Sequence, residues 1–97
     1  MTKKVNFSAL EIQGIDGSKQ RVDVQDEIAN LVYMRGQNIQ QCELGRRLYQ
    51  AGRKDGLLDP KASREVEMSY EELSLVRNIV QQFPLVVREA LLKQIDQ

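Results

Sequence analysis

The sequence predicts an α+β fold, an N-terminal β-hairpin packed with about four α-helices, in a single domain spanning residues 1–97. Three observations predict it. Apolar and polar residues alternate on both sides of one turn within residues 4–24, the pattern of a half-buried strand pair. From residue 24 onward the apolar spacing changes to three and four in several separate stretches, the helical repeat. The breaks between those stretches hold Gly36, Gly52, Ser69 and Pro84, residues that end or open helices.

In the hairpin, Val5 and Phe7 lie on one parity and Leu10 and Ile12 on the other. The phase shift at Ser8-Ala9 implies a bulge or a strand that starts late. Asp16-Gly17-Ser18 supplies the turn, with Gly17 free to take positive φ. A three-residue loop at 16–18 sets Ile12 opposite Val22 and Leu10 opposite Val24, four apolar groups on one face. The first helix is expected over 24–35, with Asp23 as N-cap, Asp26 and Glu27 where the macrodipole favours carboxylates, and Gly36 as C-cap. The second, over 39–51, opens at Asn38 and closes at Gly52. Its residues Cys42, Leu44, Gly45, Leu48, Tyr49 and Ala51 cover a sector of about 180°, which predicts a central helix. Gly45, in its middle, costs about 1 kcal/mol relative to Ala, so another backbone is expected to approach there. Residues 53–64 lack periodicity and read as a loop, with one helical turn opened by Pro60. Residues 65–68 alternate strictly and could add a third short strand beside the hairpin. Ser69-Tyr70-Glu71-Glu72 is a capping box for a third helix over 70–82, and Pro84 breaks the chain and opens a fourth running to about 95.

Composition narrows the function. The chain has 14 Lys+Arg against 14 Asp+Glu, no His, no Trp and one Cys. A zero net charge gives no overall field that would concentrate nucleic acid or an anionic membrane around the molecule. Without His, the usual proton shuttle near neutral pH and His-based zinc sites are missing. Cys42 has no partner for an internal disulfide, which fits a reducing compartment, and its place in the apolar sector of the second helix reads as a structural thiol. No apolar run approaches the roughly 18–20 residues that span a bilayer, and none resembles a signal peptide. A cytoplasmic protein with no membrane partner is expected. The glycines are too scattered for a phosphate loop. Glu65 and Glu67 are expected to face solvent, and Glu72 to serve the cap. No catalytic, cofactor-binding or metal-binding residue is expected, and the chain is not expected to be an enzyme.

Two surfaces remain for a partner. Leu85, Val87, Leu91, Leu92 and Ile95 cover a broad arc of the fourth helix and Val86 points outside it. This predicts docking on a protein partner, or self-association, through Leu85, Val86, Leu92 and Ile95. The alternative is weak nucleic-acid binding through Arg46, Arg47, Arg53 and Lys54, with Tyr49 stacking on a base. Residues 46–64 hold six basic residues against Asp55 and Asp59, but residues 65–72 follow with four glutamates and no base. Internal pairs such as Glu43–Arg47 are expected to neutralise that segment.

The order of segments resembles small, mostly uncharacterised proteins encoded in bacteriophage and prophage gene clusters. The resemblance lies in Val22-Asp23-Val24, Ala29-Asn30-Leu31-Val32-Tyr33 and Leu44-Gly45-Arg46-Arg47-Leu48-Tyr49. It continues in Val66-Glu67-Met68-Ser69-Tyr70-Glu71-Glu72-Leu73 and Arg88-Glu89-Ala90-Leu91-Leu92. It covers most of the chain, although residues 53–64 are longer here than that pattern expects. The resemblance implies a non-enzymatic accessory or assembly role and carries over no site residues.

Overall fold

A computed structural model describes residues 2–96 of the chain. The first strand, β1 (Thr2–Val5), is separate from the hairpin. Asn6 Oδ1 accepts from both the N–H and the hydroxyl of Ser8 (3.0 and 2.6 Å), fixing a corner at which Phe7 turns into the core. That corner is the phase shift in the sequence. The chain then forms β2 (Leu10–Gln13) and β3 (Lys19–Val22), an antiparallel hairpin with Leu10 opposite Val22 and Ile12 opposite Gln20.

This register corrects the expected one, in which Ile12 faces Val22. Gly14 N–H donates to the Ser18 carbonyl (2.7 Å), so the tip is Ile15-Asp16-Gly17 and not 16–18. Asp16 Oδ1 holds it there by accepting from Ser18 N–H and Oγ–H (2.9 and 2.6 Å), and Gly17 takes φ +84°. Displacing the loop by one residue shifts the pairing by two, which changes the partners but keeps Leu10, Ile12 and Val22 on one face. Val24 lies beyond the ladder, and its N–H donates to the Phe7 carbonyl (3.0 Å).

Two helices follow, α1 (Gln25–Arg35) and α2 (Ile39–Gln50). Val24 and not Asp23 occupies the α1 N-cap position, while Asp23 Oδ1 accepts from Gln25 N–H (3.1 Å). Gly36 ends α1 without a left-handed turn, at φ −62°. What it supplies is room, since a Cβ there would lie 2.8 Å from Cys42 Sγ. Asn38 Oδ1 caps α2 through Gln41 N–H (2.9 Å), and Gly52, at φ +77°, follows its end. The buried sector of α2 is narrower than its sequence predicts. Leu44, Gly45 and Leu48 are buried, Cys42 and Ala51 are half-buried, and Tyr49 is exposed.

Residues 53–64 correct a second expectation. β4 (Arg53–Lys54) and β5 (Leu57–Leu58) form a miniature hairpin through Asp55-Gly56, both at positive φ, which is the primed turn that Asp-Gly favours. Strands of two residues are too short to show alternation. Pro60 sits in a β-turn closed by Ala62 N–H on the Asp59 carbonyl (3.0 Å), not in a helical turn.

β6 (Val66–Ser69) pairs antiparallel with β1, not with the hairpin, placing Val5 opposite Val66 and Lys3 opposite Met68. It runs directly into α3 (Tyr70–Ile79), whose capping box forms as expected: Ser69 Oγ accepts from Glu72 N–H and Glu72 Oε1 from Ser69 N–H (3.2 and 2.8 Å). A 3₁₀ turn over Val80–Gln82 leads through Pro84 to α4 (Leu85–Asp96). One core joins these elements, with Phe7, Ile28, Leu44, Leu48, Met68 and Leu91 fully buried. No helix among the described residues is long and apolar enough to cross a membrane.

Candidate functional site

A buried polar frame fixes the ends of α1 and α2. Gln25 is fully buried, and its side chain finds partners on three segments. Oε1 accepts from Phe7 N–H (3.1 Å), and Nε2 donates to the carbonyls of Leu48 and Arg64 (2.9 Å each). Arg64 is only 7% exposed. Its Nε donates to the Ala51 carbonyl (2.8 Å) and its Nη2 to the Tyr49 carbonyl (3.1 Å) and Asp26 Oδ1 (2.9 Å). One guanidinium therefore satisfies the orphaned carbonyls at the end of α2 while anchoring to the first turn of α1. Gly52 makes room for it, since a Cβ there would meet Arg64 Cγ at 2.7 Å. Arg53 reaches the same carboxylate from β4 through two parallel bonds of 2.9 Å, and its guanidinium carbon lies 3.7 Å from the centre of the Tyr49 ring. The hydrogen bonds from Arg53, and secondarily Arg64, hold the Asp26 pKa down to about 2 against the opposing effect of partial burial.

Above this frame α1 and α2 touch closely. A Cβ on Gly45 would lie 2.8 Å from Tyr33 N and 2.9 Å from the Ala29 carbonyl oxygen, so no side chain fills the space over that contact. The result is a cleft of about 470 Å³, floored by Ala29 and Gly45 and bordered by Tyr33, Tyr49, Arg46, Asp26, Asn30 and Gln50. Tyr33 and Tyr49 remain 42% and 48% exposed. Both rings line the same cleft, one from each helix. Each ring has an arginine beside it that is itself held by a carboxylate. Arg53 is bound to Asp26 at Tyr49, and Arg46, 5.5 Å from the centre of the Tyr33 ring, is paired with Glu43. A second depression of about 390 Å³ shares Tyr33 and Arg46 and extends the surface to Ile39. Ile39 is exposed, as is Met34 on α1.

The residues singled out from the sequence fall in several places. Arg46, Arg47 and Arg53 all carry carboxylate partners, and Lys54 is exposed. The expected Glu43–Arg47 pair is replaced by Glu43–Arg46 within α2 and by Arg47–Glu72 (2.8 Å), which ties α2 to α3. On α4, Leu85 and Val86 are 57% and 51% exposed. Leu92 is half-buried, and Ile95, at 4%, belongs to the core. The expected four-residue surface thus contracts to the first turn of the helix. The helix packs against β2, and at its far end Lys3 Nζ donates to the Ile95 carbonyl (2.9 Å). The Cys42 thiol sits 3.7 Å from the Tyr33 carbonyl, against Gly36. Among the described residues no three His, Cys, Asp or Glu side chains are placed to hold a metal ion.

Sequence reasoning missed the Gln25–Arg64–Asp26 frame and the cleft that Tyr33 and Tyr49 both line. A signal for the second lay in Gly45 itself: close helix contact at a glycine leaves flanking large residues standing above a bare floor. Comparison of the chain with protein-family models, with curated proteins and with solved structures gave no match.

Proposed function

We propose that the protein is a small non-enzymatic interaction module that docks a protein partner on its α1–α2 face. The setting proposed is the accessory or assembly role that the resemblance to phage-encoded proteins implies. The observation that carries this reading is the cleft over Ala29 and Gly45, flanked by two half-exposed tyrosines and an arginine. Tyr, Arg and Met are the residue types that concentrate at protein interfaces, and Tyr and Arg dominate their energetics. Here Tyr33, Arg46 and Tyr49 line one cleft. The bracing arginines reduce the freedom that the rings would lose on binding. The docking surface thereby moves from α4, where only Leu85 and Val86 remain exposed, to the helical pair.

Panning a random peptide library on the wild type and on a Tyr33→Ala/Tyr49→Ala double variant tests it. Peptides that bind the wild type about tenfold more tightly than a double variant of unchanged far-UV circular dichroism are the expected result. Equal recovery on both proteins overturns the assignment of the cleft. The alternative, nucleic-acid binding through Arg46, Arg47, Arg53 and Lys54, requires log K to fall with log salt and binding to persist at about 50 mM salt. Carboxylates already occupy the three arginines, which favours the protein partner.

A further inference from the structure

We infer that the fold directs isoaspartate formation to Asp55–Gly56 and shields the other Asp-Gly pair, Asp16–Gly17. The sequence contains these two pairs, and both sit in hairpin turns. Asp-Gly suits this chemistry because glycine has no Cβ to obstruct its nitrogen as it approaches the preceding side chain. The Gly56 nitrogen attacks Cγ of the protonated Asp55 carboxyl. An N–Cγ bond forms, and the amide proton leaves with the carboxyl hydroxyl as water. Water then adds to the cyclic imide. Cleavage of the bond from nitrogen to the Asp55 backbone carbonyl carbon leaves the chain running through the side chain, as isoaspartate. Cleavage of the new N–Cγ bond restores aspartate. Water is the only co-reactant, and the mass of the chain is unchanged.

At Asp16–Gly17 both reacting groups are already engaged. Gly17 N–H donates to the Gly14 carbonyl (3.0 Å), and Asp16 Oδ1 accepts from the N–H and the hydroxyl of Ser18 (2.9 and 2.6 Å). The Ser18 hydroxyl, and then the Ser18 N–H, hold the Asp16 carboxyl below the usual carboxylate range, which depletes the neutral acid that loses water. This turn also joins strands of four residues each, one of which packs against α4. At Asp55–Gly56 the same two groups are free. Among the described residues, nothing accepts from the Gly56 N–H and nothing donates to the Asp55 carboxylate. Attack requires rotation about the Asp55 Cα–C bond, which breaks the primed turn. That turn is held by strands of two residues each, with residues 54–58 all exposed, so it opens locally at small cost. A Cβ at Gly56 would have nothing within 4 Å, so no neighbour blocks the rotation.

Ageing the whole protein in warm neutral buffer tests the inference, with the digest read by electron-transfer mass spectrometry, which separates isoaspartate from aspartate. Isoaspartate is expected to accumulate at Asp55 about tenfold faster than at Asp16, the factor that one hydrogen bond to a charged group supplies. In guanidinium chloride neither turn is formed, and the two rates are expected to converge. Ser18→Ala changes an exposed turn residue and removes the hydroxyl bond to Asp16. In a variant of unchanged circular dichroism, the rate at Asp16 is expected to rise while that at Asp55 stays the same. Equal rates in the folded protein, a faster reaction at Asp16, or no reaction at Asp55 overturns the inference. A difference that persists undiminished in guanidinium chloride overturns it too, because the selectivity then belongs to the neighbouring sequence and not to the fold.

Discussion

Gly45 and Asp26 show how much a single position can carry in this protein. An alanine at position 45 gains about 1 kcal/mol of helix propensity. Its Cβ, however, would press on the Tyr33 amide nitrogen and the Ala29 carbonyl, backbone atoms that cannot yield unless α1 moves. Overpacking of that kind costs about 1–3 kcal/mol. Gly45→Ala is therefore expected to lower the urea midpoint with an unchanged m-value, and a raised midpoint contradicts the close contact. Asp26 governs the response to acid. Its pKa is lowered on folding to about 2, so its contribution to stability is complete above the unfolded value near 4 and disappears as the pH falls from there toward 2. The carboxylate is nearly half exposed, and with solvent screening the contribution is about 1 kcal/mol. Denaturation midpoints measured across that window should slope downward with acid in the wild type and flatten in Asp26→Asn. At this scale the sequence was legible where one residue breaks a local rule, as a glycine does in mid-helix. It was opaque at Arg64, because a basic residue inside a basic segment looks solvated until the carbonyls of Leu48, Tyr49 and Ala51 are seen to converge on it.

The elements divide by whether their determinants are local. Asn38, the Ser69–Glu72 box and Gly52 mark helix ends through bonds that reach no more than a few residues, and all three were readable. Strand partners were not, because β1 finds β6 across most of the chain while its own alternation looks like one arm of the nearby hairpin. The β4–β5 hairpin has its own local determinant. Gly56 stands at φ +81°, and a Cβ there would have nothing within 4 Å, so an alanine meets only the conformational cost of about 1 kcal/mol. Amide exchange should accelerate over residues 53–58 in Gly56→Ala while the amides of α3 keep their protection. Loss of protection throughout would mean that this hairpin is a structural unit of the core.

At the level of the whole molecule, the equality of 14 basic and 14 acidic residues becomes a set of contacts. Arg47 and Glu72 join the basic and acidic segments that cancel along the sequence. Arg53 and Arg64 are taken up by Asp26 from the start of α1. Of the four basic residues that looked available for a polyanion, Arg46, Arg47 and Arg53 carry carboxylate partners. The α1–α2 face proposed for docking presents Tyr33 and Tyr49, with Arg46 paired to Glu43. The α+β class followed from the hydrophobic spacing, whereas the cleft depends on how two helices approach, which spacing does not specify.

The β1–β6 pair also sets a sequence of events in time. Val5 meets Val66 across about sixty residues, and closing a loop of that length costs about 3–4 kcal/mol of chain entropy before any contact repays it. The α1–α2 contact needs only the short link at residues 36–38. Local contacts of that kind form early in folding, and distant strand pairs late. Leu48→Ala, in the helical pair, should then slow refolding, while Val66→Ala should leave refolding nearly unchanged and hasten unfolding. The strand pair thus acts as a clasp, governing how long the native state survives rather than how quickly it is reached.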